Sequence, residues 1–315
     1  LPLEEVRMFT EAFERIRASY VEEVDDKTLL ENAIRGMLSG LDPHSAYVVE
    51  NEFDALQETT TGEFGGLGIE VGREDGYIKV ISPIDDTPAD RAGIKAGDLI
   101  VQINDTPTRQ IMPEEAANLM RGEPGTSVTV TISREGRELF DITITREVIA
   151  INSVRSRMLE PGYAYFRISQ FRANTAQDLE DEFTNVSREN PDLKGLVLDL
   201  RNNPGGVLQA SVGVVDAFIS DGRIVSTKGR LEGNDMEFMA TEQTIAGDIP
   251  LVVLINNGSA SASEIVAGAL QDHSRAIIMG TRSFGKGSVQ SIMPLAEERA
   301  IKLTTSLYFT PNGRS

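Results

Sequence analysis

The sequence predicts an α+β multidomain chain: a helical N-terminal segment, a β-rich module and an α/β core. Three observations predict it. Apolar residues recur every three or four positions up to about residue 60, and they alternate from about 61 to 148. Beyond 149, nearly continuous apolar runs are separated by polar-faced stretches. The boundaries expected are therefore 1–60, 61–148 and 149–315. A chain of 315 residues, 40% hydrophobic and 25% charged, is long enough for more than one buried core.

Leu3, Val6, Phe9, Phe13, Ile16 and Tyr20 mark one face of a first helix. Asp25 or Asp26 can cap a second helix, which carries Leu30, Ile34 and Leu38 and ends at Gly40. LDPHSAY (41–47) follows as a turn. Two helices alone bury little area, so this segment reads equally as a packed subdomain or a dimerisation surface. In the next module, Gly65, Gly66 and Gly68 precede alternating residues through Val71, and Tyr77–Ile81 is a strand. Residues 89–98 predict a short helix and a glycine turn, 99–104 a strand, and 113–121 a helix with proline in its first turn. Residues 126–133 and 139–146 alternate about Glu135–Gly136, as a hairpin does. In the core, 163–168 is a strand and 173–190 a helix; 193–200 and 250–256 are buried strands, and 275–280 and 300–310 add two more.

Composition narrows the chemistry. A formal charge of −19 with no Lys/Arg run repels a phosphate backbone, so no nucleic acid partner is expected. The absence of cysteine removes disulfides, thiolate metal sites and a Cys nucleophile, and suits a periplasm-like compartment. No apolar run approaches the ~20 residues that span a bilayer. The opening LPLEEV has no signal-peptide character, so a signal or anchor is expected to have been removed before residue 1. His44 and His273 are the only histidines, so a hydrolase here uses one of them as base or uses something else.

NNGSASASEIVAGALQD (256–272) runs a buried strand through a tight small-residue turn into a helix. Free N–H groups gather at such a helix start and favour the developing charge of an acyl-transfer intermediate. Ser259, Ser261 and Ser263 also read as ordinary helix caps. TRSFGKGSVQ (281–290) sets Lys286 between two glycines. A lysine is a general base only when neutral, and burial lowers its pKa toward that state. GTRSFGKGS (280–288) also approaches a nucleotide-binding P-loop, but Gly287 stands where a hydroxyl should hold magnesium and no helix pattern follows.

With LDLRNNPGG (198–206), these two stretches carry a family likeness: the sequence resembles the carboxyl-terminal processing, or tail-specific, proteases of the S41 peptidase family, bacterial periplasmic type. The resemblance implies a ClpP/crotonase-like serine protease core in which Ser261 is the nucleophile, Lys286 the base and Gln290 the residue that orients the lysine. It implies an oxyanion hole from Ala262 and either Gly205 or Gly206, with no metal and no cofactor. Neither histidine is then needed. The middle module resembles a PDZ domain. Its carboxylate-binding loop falls on Gly65, Gly66, Leu67 and Gly68, its accepting strand on Leu67–Val71 with Ile69, and its other wall on Pro113–Arg121. The partners implied are proteins or peptides with free C-termini, further copies of the chain and an activating adaptor. The compartment implied is the periplasm. Relatives usually continue past the strand that ends this sequence, which implies a further C-terminal segment. A latent enzyme or a non-catalytic PDZ scaffold is the alternative.

Overall fold

The N-terminal three-and-four repeat forms two helices, α1 (Leu3–Ser19) and α2 (Asp26–Ser39). They belong to a computed structural model that describes residues 2–49, 52, 58, 60–74, 76–84, 86–150, 152–231, 235–296 and 299–315. Asp25 caps α2 by accepting the Thr28 N–H at 2.9 Å, and Gly40 closes it. The Asp42 carboxylate then accepts the N–H groups of His44 (2.7 Å) and Ser45 (2.9 Å). That turn delivers β1 (Ala46–Val48), which pairs antiparallel with residues 300–302 of the last strand. The chain divides into two compact units, residues 1–57 with 154–315, and residues 58–153. The pairing of β1 explains why the N-terminal helices group with the core instead of standing alone.

The smaller unit holds β2 (Glu63–Gly66), β3 (Ile69–Glu74), β4 (Tyr77–Pro83), α3 (Pro88–Arg91), β5 (Leu99–Ile103), β6 (Thr106–Pro107), α4 (Pro113–Met120), β7 (Ser127–Ser133), β8 (Phe140–Thr145) and β9 (Glu147–Ala150). Its main sheet runs β3-β4-β5-β7-β8, with β6 on β5, and β2 pairs with β9. Alternation works as expected on β7, where Val128, Val130 and Ile132 point into the core with Ile78 and Ile100. The strand expected over 67–71 is broken: β2 ends at Gly66 and β3 begins at Ile69. Gly68 makes the corner with φ +77, against Thr87, which leaves no room for a side chain.

The larger unit continues with β10 (Val154–Glu160), β11 (Tyr163–Ile168), α5 (Thr175–Glu189), β12 (Gly195–Asp199), α6 (Leu208–Asp216), β13 (Arg223–Gly229), β14 (Met236–Met239), β15 (Leu251–Ile255), α7 (Ala262–Asp272), β16 (Ala276–Gly280), β17 (Ser288–Pro294) and β18 (Ala300–Phe309). One sheet is ordered β10-β11-β12-β15-β16, parallel except at β10. Parallel neighbours need crossovers, which α5, α6 and α7 supply. Leu179, Phe183 and Val186 of α5, Val214 and Val215 of α6, and Val266 and Leu270 of α7 fill the space against it. Each such side chain contributes about 1.5–3 kcal/mol when fully buried. A second, antiparallel sheet runs β1-β18-β13-β14 with β17 on β18, and it brings β17 and β18 to the loop that carries Lys286.

Candidate active site

β12 and β15 lie side by side and parallel, with Asp199 opposite Leu254. Both open at their C-terminal ends, the end where ligands sit in open α/β sheets. Asp199 anchors the first turn: it is fully buried and accepts hydrogen bonds from Arg201 (2.7 Å) and Tyr165 (2.6 Å). Burial alone would raise its pKa, but the Arg201 and Tyr165 hydrogen bonds outweigh that and hold it at about 2.

The second turn is stitched to the first by its outer serines. Ser259 Oγ donates to the Leu200 carbonyl at 2.7 Å, and Ser263 Oγ donates to the Asn203 carbonyl at 3.0 Å; both serines are fully buried. The same Asn203 carbonyl accepts the Ala260 N–H at 3.0 Å. Ser261 lies between them, half-buried, and its hydroxyl donates to no carbonyl among the described residues. It is the N-cap of α7, at φ 54 and ψ −113, a region non-glycine residues seldom occupy. The capping role expected of a serine is therefore present at Ser261, together with a backbone strain that capping does not require.

Two amides of these turns donate to nothing among the described residues: that of Ala262, which follows Ser261 and starts α7, and that of Gly206, the residue after Gly205. Gly205 differs, because its N–H donates to Asn203 Oδ1 at 2.9 Å. Neither glycine tolerates a side chain. A Cβ on Gly205 would lie 2.8 Å from Ser261 Cβ, and one on Gly206 would lie 1.9 Å from the Phe171 carbonyl oxygen.

The loop between β16 and β17 carries Lys286 to this place. Glu264, in the first turn of α7, binds it. Its Oε1 accepts the Gly285 N–H at 2.7 Å, and its Oε2 accepts both the Lys286 N–H and the Ser261 N–H at 2.9 Å. From β18, Tyr308 Oη donates to the Ser261 carbonyl at 3.3 Å, and the Tyr308 N–H donates to the Gly287 carbonyl at 2.9 Å. Burial holds the Lys286 pKa below the usual lysine range; the charge of Lys302 adds to this and that of Asp42 opposes it. Burial, and then the Glu264 charge, pushes the Tyr308 phenol up, so it stays a donor.

No hydrogen bond joins Lys286 Nζ to Ser261 Oγ among the described residues. Gln290 does not meet the lysine either: its amide nitrogen donates to Ser288 Oγ at 3.0 Å and Thr304 Oγ1 at 3.1 Å. His273 caps the far end of α7 and bonds the Arg223 carbonyl at 2.7 Å, about 18 Å from Ser261 by helix rise. His44 belongs to the Asp42 turn. The P-loop alternative fails on topology, since strand β17 and not a helix follows Gly287. In the smaller unit, Gly65 and Gly66 are strand residues paired with Val148 and Glu147, so they are not part of an open loop. The N–H groups of Leu67 and Gly68 donate to nothing among the described residues, and Ile69 starts the edge strand β3.

Sequence reading misses Glu264, Tyr308, Asn203, Lys302 and Asp42. Glu264 had a local signal, the Ser-x-x-Glu spacing of a capping box, and Asn203 and Asp42 lie within the LDLRNNPGG and LDPHSAY stretches without a role of their own there. The others arrive from distant parts of the chain.

Three family models match the chain: peptidase family S41 over residues 162–315, a PDZ domain over 79–134, and the N-terminal domain of the activating protease CtpB over 2–52. A carboxy-terminal-processing protease of Bartonella bacilliformis is 50% identical over 310 residues, covering 98% of this chain and 71% of its own. The carboxy-terminal processing protease CtpA of Bacillus subtilis is 34% identical and covers 96% of this chain; the chain spans only 64% of that relative's length. Among solved structures, the photosystem II D1 C-terminal processing protease aligns with a TM-score of 0.53 at 30% identity, over 99% of this chain and 90% of its own.

Proposed function

The chain belongs to the carboxy-terminal processing proteases of peptidase family S41, and from that premise we propose that it cleaves proteins near their C-termini with Ser261 as nucleophile and Lys286 as base. The observation that carries this reading is the division of labour among three serines. Ser259 and Ser263 spend their hydroxyl protons on buried carbonyls, and of the three only Ser261 keeps its own, next to the unpaired Ala262 amide. Neutral Lys286 takes the Ser261 proton while Oγ forms a bond to the scissile carbonyl carbon. The oxyanion is met by the Ala262 N–H and the Gly206 N–H, the glycine amide that is not already donated. The amine leaves with the proton that Lys286 returns, and water then cleaves the acyl-enzyme by the same base. Hydrogen bonds of this kind are often long without substrate and tighten when it binds. Gln290 Oε1 is the group proposed to receive the lysine as it closes.

The smaller unit is proposed to hold the substrate's free C-terminus. The Leu67 and Gly68 amides face the carboxylate, and the outer edge of β3 takes the peptide as an added strand. No residue of α1 is buried, and Met8 and Phe9 are among its exposed apolar residues, so α1 is proposed to meet a second copy of the chain. The compartment proposed is the periplasm, which a chain without cysteine suits.

Cleavage of an unfolded protein with an apolar C-terminus tests the dyad. Ser261→Ala and Lys286→Ala should each lower turnover at least ~1,000-fold with the melting temperature unchanged. Wild-type turnover in either variant would end the reading.

A further inference from the structure

We infer that Glu264 and Tyr308 are positioning residues that lock the lysine loop in register with the nucleophile turn. The inference rests on the Ser261–Lys286 reading and adds the device that makes two distant loops act as one. The two loops are joined by main-chain atoms. One carboxylate accepts three N–H groups, those of Ser261, Gly285 and Lys286, and so spans both loops. One β18 residue reaches both again, through its hydroxyl to the Ser261 carbonyl and through its N–H to the Gly287 carbonyl. Ser261 is thereby held at both its N–H and its carbonyl in a strained conformation, and Lys286 is held at its own N–H and at the carbonyl of the next residue.

An ordinary capping glutamate binds only its own helix start. Here two of the three bonds go to a loop more than twenty residues away, which capping does not explain. Tyr308 is buried, and its ring belongs to the main core, so its hydroxyl is aimed by packing. Neither side chain touches a reacting atom. Their effect on rate comes from where they hold Lys286.

Loosening the clamp lets Lys286 reach water. Since burial is the main cause of its lowered pKa, release should raise that pKa and move the active, neutral form to higher pH. The charges that shift the Lys286 amine are Lys302 from β18 and Asp42 from the turn after α2, and both remain in the variants below; the Glu264 carboxylate, which accepts the Lys286 N–H, loses its charge in Glu264→Gln, whereas Tyr308→Phe removes none.

The test measures kcat, KM, the pH midpoint of kcat/KM and the melting temperature of the full chain. Glu264→Gln keeps the volume but turns an amide nitrogen toward N–H donors; kcat should fall about 100-fold, the cost of a misplaced catalytic group, with KM nearly unchanged. Its pH midpoint should move to the alkaline side. Tyr308→Phe removes one hydrogen bond and should cost kcat roughly five- to tenfold. Wild-type kcat and pH midpoint in both variants, with or without a lower melting temperature, would overturn the inference. If Glu264→Gln does not fold, Tyr308→Phe decides alone. Ser261→Ala, measured alongside, separates the two levels. Activity surviving in it removes the dyad reading itself, whereas an inactive Ser261→Ala beside two wild-type-like variants removes only the clamp.

Discussion

Lys286 shows how a basic residue is tuned by neighbours remote in sequence. Burial lowers its pKa first, and Lys302, sixteen residues on, adds a like charge. Lys302→Met should therefore let Lys286 hold its proton more tightly. The rising limb of kcat/KM, set by deprotonation of Lys286, should move to higher pH by less than about one unit, as expected for a single partly screened charge. A pH profile of the variant checks this; an unchanged or acid-shifted limb contradicts it. The sequence makes Lys286 visible through its flanking glycines, but it cannot show that Lys302 faces it, because β17 and β18 have to pair first. Ser261 is legible for a related reason. The run of small residues after a buried strand marks the turn, but only the fold reveals that Ser259 and Ser263 are occupied as donors to Leu200 and Asn203.

At the scale of elements, periodicity recovers what periodicity can encode. α1, α2 and β11 lie where the apolar spacing puts them, because each buries or presents a single face. β10, β13, β14 and β17 escape because they lack a clean alternation of their own and depend on neighbours for pairing. The break at Leu67–Gly68 escapes because an alternating pattern does not register a positive-φ corner. α1 itself makes a prediction. A helix that buries nothing in its own chain, yet carries Phe9 and Ile16 on one face, should be covered by a second copy. Light scattering should give the wild type a mass above that of one chain. Phe9→Glu with Ile16→Glu should give the mass of one chain at an unchanged melting temperature. A wild type of single-chain mass at assay concentration would contradict the pairing.

Across the whole molecule, the chain combines a peptidase S41 core, proposed to hold the chemistry, with a PDZ module proposed to take an extended peptide end. The core does so with ordinary means. Two parallel strands end side by side, Asp199 and Asn203 fix the first turn, and the serines of the second turn fasten it there. The strain at Ser261, about 1–3 kcal/mol for such a backbone conformation, is offset by those bonds and by the Glu264 and Tyr308 contacts. The proposed cleavage stands on a single hydroxyl, and mapping the adduct of a serine-directed fluorophosphonate on the full chain by mass spectrometry, over a range of pH, tests it most directly. One adduct is predicted, on Ser261, forming faster as pH rises and slowly at every pH in Lys286→Ala. An adduct on Ser259 or Ser263, or a Ser261 adduct whose rate ignores both pH and the loss of Lys286, would contradict it.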